Sequence, residues 1–507
     1  MKLINAFTLL LHSISFANAQ NAITSQLVDN VTEISLKTNL KIIAGSQFEG
    51  RMAGSKGDSL AIQYISNWFG THHLSKPYQS TTPFLQNVTL THTDDSKSTL
   101  SIDGKGFDLN KQWANFDDIN NFRAKSKEVV FAGYGISTVG FDELKGIDIN
   151  GKMILLMPEF PNKRNGEIII AKKDLPNEKQ QIMSILSKKP LGVIFYDPDF
   201  KDLLEESKYQ RIFEPYVKYP ASDMPPFSGC LISSEIGNYL VGGSIDSVYQ
   251  LILQTGQPHS FSTHKQITLS IKTIEEKKKT DNIVGIIKGT NEKLPCIVFT
   301  AHHDHEGKVG DSTYFGADDN GSGTATLLEI SKILGDESAK GIRPKRTIVF
   351  VSTAAEEQGL IGSYYYVLHP IIPLSEIYCN INVDMLGRVD SFYSGKRADS
   401  NYVYCLYKDS SNKVFNPGKL EEISQTYGRL KLDTLYNIRN KNNRPNSLIA
   451  RSDNFPFMKE GIPAIWFFSG FHKDYHRPTD SPDKINYLLL KRRTQLVLAT
   501  LWEVANE

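Results

Sequence analysis

Beyond its first twenty positions the chain has no run of eighteen unbroken apolar residues, the least that a membrane-spanning helix needs. Excess charge of one sign is missing too. The 57 lysines and arginines against 56 aspartates and glutamates leave a formal +1, whereas holding nucleic acid or an anionic membrane needs a concentrated basic face. Arg343-Pro344-Lys345-Arg346 is a short cluster of the kind that solvated loops carry. Cysteine is rare as well. Cys230, Cys296, Cys379 and Cys405 are too few for a disulfide-stapled scaffold, and their spacing leaves buried thiols and bridges as equal readings. What is present, 40% hydrophobic and 22% charged residues over 507 positions, suits folded cores and two or three domains at roughly 150 residues each.

The first residues read as an export signal. Met1-Lys2 precedes the apolar run Ala6 to Leu11, and Ala17 and Ala19 form a small-residue cleavage site before Gln20. His12 and Ser13 interrupt the apolar stretch, so stable membrane insertion is not expected; the mature chain, cut after Ala19, is expected to be secreted or periplasmic. Residues 35–69 follow a helical period, broken by the glycine-punctuated loop Glu49 to Gly57. From 85 to 265 the texture changes to short β-like runs, among them Val129-Val130-Phe131, Met153 to Leu156 and Val193 to Tyr196, which predicts an inserted β-rich domain between a first segment at 20–84 and a main domain at 266–507. In the main domain, apolar runs at 283–287, 296–301, 347–352, 379–383 and 464–468 read as buried strands, with helices over 321–334 and 484–504. Such alternation predicts an α/β fold, a mostly parallel sheet flanked by helices.

Acids and histidines fall just past those strands. His302-His303-Asp304-His305 ends one run, Glu356-Glu357 follows another, Asp384 a third, and Tyr475-His476 stands a short loop beyond the fourth. Asp318-Asp319-Asn320 precedes a helix. Open parallel sheets place ligands outside the carboxyl ends of their strands, so the five clusters are expected to share one crevice. Each has an ordinary reading alone: Glu356-Glu357 as a solvated helix start, Asp319 as a helix cap, His476 as surface decoration. Their joint occurrence points to metal. Two histidines and three carboxylates suit Zn²⁺, with manganese or cobalt as substitutes, and two divalent ions with one hydroxide balance Asp319, Glu357 and Asp384 to neutrality. Two metals about 3.5–4 Å apart form the usual hydrolytic pair.

The segments A-H-H-D-H, G-A-D-D-N-G-S-G, A-E-E-Q-G-L-I-G-S, N-V-D-M-L-G-R, S-D-N-F-P-F, G-I-P-A and Y-H-R-P-T-D, in that order over about 280–487, resemble metallopeptidase family 28, the co-catalytic zinc aminopeptidases. The early E-G-R-x-x-G-x-x-G matches too, and Phe131 to Gly135 with Asp148 to Lys152 looks like the protease-associated insert that members often carry. The resemblance implies a zinc exopeptidase-like fold with two Zn²⁺ per chain. It makes His302 and Asp384 ligands of one metal, Glu357 and His476 ligands of the other, and Asp319 the bridge. Asp304 would orient the His302 ring from outside, Glu356 would be the general base toward a metal-held hydroxide, and Tyr475 would hydrogen-bond the developing oxyanion.

Two departures from the family pattern are expected to reshape the substrate pocket: the polar stretch Glu306 to Phe315, and His303 where an aromatic residue is common. His305 and Glu306 read as loop residues or as supports behind a complete ligand set, and Arg388 as either a substrate contact or a structural ion pair. The implied activity is removal of amino-terminal residues from peptides. A carboxypeptidase or glutaminyl cyclase on the same scaffold, or a receptor-like binding ectodomain without catalysis, are the alternatives. Retention of all five ligands and Glu356 argues against the last.

Overall fold

The computed structural model describes residues 21–507 apart from 78–80, 116–120, 159, 161–162, 165–166, 172–173, 177, 199, 201–213, 216–227, 392, 394–400, 409–413, 434–435 and 437–447. The export signal expected at 1–19 lies outside the described residues. Two compact units emerge, one of residues up to Leu90 with Lys278–Glu507, the other of Thr91–Lys277. Where the texture of the sequence suggested 85–265 for the insert, pairing moves both borders later. The strand Leu85–Asp94 neighbours Ile274–Ile287, and Ile267–Ile271 pairs with Thr99–Ile102 and Phe122–Ser126.

The first unit carries β1 (Leu85–Asp94), β2 (Ile274–Ile287), β3 (Cys296–His302), β4 (Ile348–Thr353), β5 (Ile377–Val383), β6 (Tyr402–Lys408), β7 (Lys431–Asp433) and β8 (Ala464–Phe468) in the sheet order β1-β2-β4-β3-β5-β8-β6-β7. Four central strands, β4, β3, β5 and β8, are mutually parallel, and β2 and β6 run antiparallel beside them. β3, β4 and β8 are buried at every position, as strands covered on both faces must be.

Alternation along these strands sorts side chains between two helical layers. On one face Ile297, Phe299, Ala301, Ile348 and Phe350 pack with α1 (Glu33–Ile43), α2 (Lys56–Thr71), α3 (Gly323–Ala339) and α7 (Tyr487–Asn506). On the other, Val298, Val349 and Val351 meet Tyr366 and Val367 of α4 (Ile361–Leu368) and Phe457 of α6 (Asn454–Lys459), whereas Leu420 and Ile423 of α5 (Pro417–Ile423) join the first group. Each such side chain, fully buried, contributes about 1.5–3 kcal/mol. α3 is buried almost all round, and Thr324 near its start donates to the His302 carbonyl at 2.7 Å, tying the helix to the end of β3.

The unit Thr91–Lys277 has its own core around Trp113, Phe131, Met153, Leu155 and Ile194. A six-stranded sheet holds the parallel strands Val129–Phe131, Met153–Leu156, Gly192–Tyr196 and Gly229–Ile232, with antiparallel edges at Phe261–Ser262 and Trp113–Asn115. A four-stranded antiparallel sheet joins Lys105–Phe107, Thr99–Ile102, Ile267–Ile271 and Phe122–Ser126. Helices at Glu178–Ser187, Ser234–Val241 and Ile245–Thr255 accompany the β-runs visible in the sequence. No helix among the described residues is long and apolar enough to cross a membrane.

Candidate metal centre

Because β4, β3, β5 and β8 point the same way, Thr353, His302, Val383 and Phe468 end at one edge of the sheet, and the acids and imidazoles beyond them converge. His302 Nε2 stands 3.4 Å from both Asp319 Oδ1 and Asp384 Oδ1, and 3.8 Å from Glu356 Oε2. His476 Nε2 lies 3.0 Å from Asp319 Oδ2 and 3.2 Å from Glu357 Oε2. Asp319 thus turns one oxygen to each group. His302, Glu356 and Asp384 gather potential ligand atoms within 4.8 Å, as do His302, Asp319 and Glu357, and Glu306, Glu357 and His476. Among the described residues His302 Nε2, Asp384 Oδ1 and His476 Nε2 are buried without a well-directed hydrogen bond. Buried polar atoms are normally satisfied, so lone pairs converging unpartnered on one place are what a cation site requires.

Local backbone aims these groups. Ala355, Met385 and His476 have positive φ, at 53°, 56° and 51°, a region that non-glycine residues enter rarely and at a cost of about 1–3 kcal/mol. Each turn lies at or next to a site residue, and the bend at Ala355 sends Glu356 and Glu357 different ways. Asp304 holds that bend: its carboxylate accepts from the amides of Glu356 and Glu357 at 3.1 and 3.3 Å. Its Oδ1 also stands 3.7 Å from His302 Nδ1, an ion-pair separation, so Asp304 faces both the glutamate turn and the imidazole expected from the sequence. Asp384 is reached by a polar chain along the sheet. Thr300 donates to Asn382 at 2.8 Å, Asn382 to Ser452 at 2.8 Å, and Ser452 to Asp384 Oδ2 at 2.7 Å. Asp480 receives the amides of Asp318 and Asp319 at 2.9 and 3.2 Å.

With protein groups alone, the acids divide by their neighbours. Burial opposes charge on Asp319, yet His302 and His476 hold its carboxyl well below the usual range. Burial and Asp319 press Glu357 upward, but His476 and His305 outweigh them and bring it to about 2. Glu356 is pushed well above its ordinary value by burial, then by Glu357 and Asp384; burial raises Asp384 and brings Asp453 to about 6. Burial disfavours charge on the two imidazoles, but the surrounding carboxylates keep both well above the ordinary histidine value. This is the signature of a crevice with more negative charge than its own cations can answer.

Of the residues singled out from the sequence, His302, Asp304, Asp319, Glu356, Glu357, Asp384 and His476 meet here. Tyr475 joins them: with Asp319, Glu356, Asp384, Met385, Arg451, Trp466, Phe468 and Phe471 it lines a pocket, stacked on His476 at 3.8 Å between ring centroids. Burial pushes its phenol up, so it stays a donor. His303 does not shape that pocket. It is fully buried and turned toward α2, with Nδ1 3.1 Å from Ser352 Oγ and Nε2 3.2 Å from Asp58 Oδ1. Arg388 forms an ion pair with Asp474 at 2.8 Å.

Arg51, Ser452 and Asp480 were not among the residues given a role. Arg51, wholly buried, donates to the carbonyls of His303 and Phe315 at 2.6 Å and of Gly316 at 2.8 Å, clamping both loops that carry His302 and Asp319. The glycines around it in E-G-R-x-x-G were the available signal.

Residues 282–501 match the model of peptidase family M28. Aminopeptidase YwaD of Bacillus subtilis is 29% identical over 265 residues, 49% of this chain and 50% of that protein. Aminopeptidase NAALADL1 of Mus musculus is 32% identical over 156 residues, 30% of this chain and 20% of that protein, so the match spans half of the first relative and a fifth of the second. Among solved structures, an aminopeptidase from Aneurinibacillus sp. strain AM-1 superposes with TM-score 0.57 at 17% identity, covering 95% of this chain and 96% of that one. BSAP, a zinc aminopeptidase from Bacillus subtilis, gives 0.53 at 20% identity, covering 93% and 95%. These two share the fold. The matched residues embrace every member of the cluster, so the likeness to peptidase family M28 covers the whole site.

Proposed function

We propose that the chain is an exported two-zinc exopeptidase that removes amino-terminal residues from peptides. The observation that carries the proposal is the shared geometry of Asp319, whose two oxygens face His302 with Asp384 on one side and His476 with Glu357 on the other. Nitrogen and carboxylate donors in this number suit two Zn²⁺, and relatives described as aminopeptidases and as a zinc aminopeptidase support that choice. Bound zinc supplies Lewis-acid stabilisation of developing negative charge and acidifies water toward a pKa of about 7.

The chain's own residues supply the rest. Glu356 takes a proton from the attacking water as the carbon–oxygen bond forms, then returns it to the leaving nitrogen as the carbon–nitrogen bond breaks. Tyr475 donates its hydroxyl to the carbonyl oxygen as charge gathers there. A substrate's cationic amino terminus pairs with the surplus of acids lining the pocket. A second reading, carboxypeptidase, is favoured by Arg451 in the pocket wall, whose guanidinium suits a terminal carboxylate. We further propose that Thr91–Lys277 is a protease-associated module, a reading supported by its parallel strands and by the Phe131 to Gly135 turn. Export rests on the Met1 to Ala19 pattern.

The test compares aminoacyl chromogenic substrates, their N-acetylated forms and peptides with free or amidated carboxyl ends, with and without chelator. Expected are chelator-sensitive turnover and a loss of about 10²-fold or more on N-acetylation. Equal turnover of free and blocked amines ends the aminopeptidase reading. Release of carboxy-terminal residues from N-blocked peptides establishes the second.

A further inference from the structure

The two halves of the cluster are not supported alike. Behind His476 stands Glu306, whose Oε1 is 2.8 Å from the ring Nδ1, and behind Glu357 stands His305, whose Nδ1 is 2.6 Å from Oε1. Both supporting side chains are buried, His305 completely and Glu306 to 2% exposure, where charged and imidazole groups seldom sit without a task. Each touches the atom of its partner that faces away from Asp319, leaving His476 Nε2 and Glu357 Oε2 turned inward. On the other half the carboxylate behind the ring is more distant, Asp304 Oδ1 lying 3.7 Å from His302 Nδ1 against 2.8 Å for Glu306 and His476, and the ligand partner Asp384 is held by the neutral hydroxyl of Ser452.

The supporting pair is anchored from the far end of the sequence. The His305 amide donates to the Arg51 carbonyl at 3.3 Å and the Gly307 amide to the Gly50 carbonyl at 3.1 Å. Residues Gly307–Val309 and Ser312–Tyr314 then close a small hairpin. Gly50, at φ 70°, presses so close that a Cβ there would overlap the carbonyl oxygens of Gly307 and Tyr314. The polar stretch after Glu306 is therefore a brace docked on the Gly50-Arg51 turn.

We infer that His305 and Glu306 are positioning residues that set the affinity of one cation position, that of Glu357 and His476, separately from the position of His302 and Asp384; this rests on the two-metal reading above. A carboxylate on Nδ1 fixes the tautomer that offers Nε2 to a metal, orients the ring and raises its basicity, and losing such a partner typically costs 10–100-fold in metal affinity. A donor on one oxygen of Glu357 likewise holds the other oxygen forward.

The test strips the full chain of metal and titrates Zn²⁺ against a competing chromophoric chelator, with Co²⁺ absorption as a second readout. Wild type takes two ions; fewer than two overturns the two-metal reading itself. In Glu306→Gln one binding step weakens about 10–100-fold while the other keeps its wild-type affinity. His305→Leu, which removes the donor to Glu357, weakens the same step and decides the matter if circular dichroism shows Glu306→Gln misfolded. Two ions in wild type with both steps unchanged in the folded variants, or both weakened alike, overturns the inference.

Discussion

Both units end parallel strands in loops that bury acids, and the two answer the buried charge differently. In Thr91–Lys277 the acid is Glu143, facing the turn after Val129–Phe131, and one of its oxygens accepts from the amides of Tyr134 and Ile136 at 2.8 and 3.1 Å. A Cβ at Gly133 would collide with this carboxyl, so glycine makes the fit possible. In the peptidase unit the backbone amides go to Asp304 and Asp480, which shape the turns, and Asp319, Glu356, Glu357 and Asp384 are left facing imidazoles and one another. The buried guanidinium nearest them, on Arg51, is spent largely on carbonyl oxygens. A lone buried acid can keep its proton and take two amides on one oxygen; four in one crevice call for cations from outside.

Three substitutions break or sharpen this contrast. The largest effect belongs to Glu356→Gln, which removes the proton acceptor and leaves the proposed ligands in place. Turnover falls about 10²–10⁴-fold with metal content per chain unchanged, measured by steady-state kinetics beside elemental analysis. Metal lost in parallel with activity would recast Glu356 as a ligand.

Arg51→Ala comes next. It strands buried carbonyls of His303, Phe315 and Gly316 and costs on the order of 3 kcal/mol in the peptidase unit, read from the denaturant midpoint. Hydrogen exchange of Val129–Phe131 and Met153–Leu156 in the other unit serves as the internal control and stays as in wild type.

The smallest effect is a change of slope. Burial raises Glu143 from 4.5 to about 8, against the amides of Ile136 and Tyr134 that pull it down. Between those values the folded unit holds more protons than the unfolded chain. Its stability is therefore fully present below pH 4.5 and declines as pH rises through about 8, by a few kcal/mol at most. Glu143→Gln keeps an oxygen for both amides and flattens that decline, followed by hydrogen exchange of the same two strands at pH 5 and pH 8. An unchanged slope would show that the amides, not burial, govern this acid.

Much of the peptidase unit was legible before folding. The runs 296–301, 347–352, 379–383 and 464–468 became β3, β4, β5 and β8 because strands buried on both faces need continuous apolar residues, and that pattern is local. β6 escaped notice since Tyr402-Val403-Tyr404-Cys405-Leu406 alternates tyrosines between small apolar residues; Tyr402 and Tyr404 pack in one cluster while Val403 and Cys405 join the main core. In the second unit, the helix Glu178–Ser187 was obscured by its mostly polar sequence. At the site, residue type and strand-end position marked the side chains that converge. Their contacts carried no such mark: Arg51 meets the His303 carbonyl across 252 positions, and Asp304, marked by its place at a strand end, gave no sign that its carboxylate lies beneath two amides.

The amino-acid sequence by itself determined which side chains could bind a cation and which strands would deliver them, because donor chemistry belongs to the residue and burial pattern to its near neighbours. Only the tertiary structure decided that Asp304 grips the glutamate turn, that His303 faces α2, and that His305 and Glu306 brace one half of the cluster and not the other. Those choices depend on differences of about an ångström in the distances between segments far apart in the chain, and hydrogen-bond and ion-pair energies change steeply over that interval.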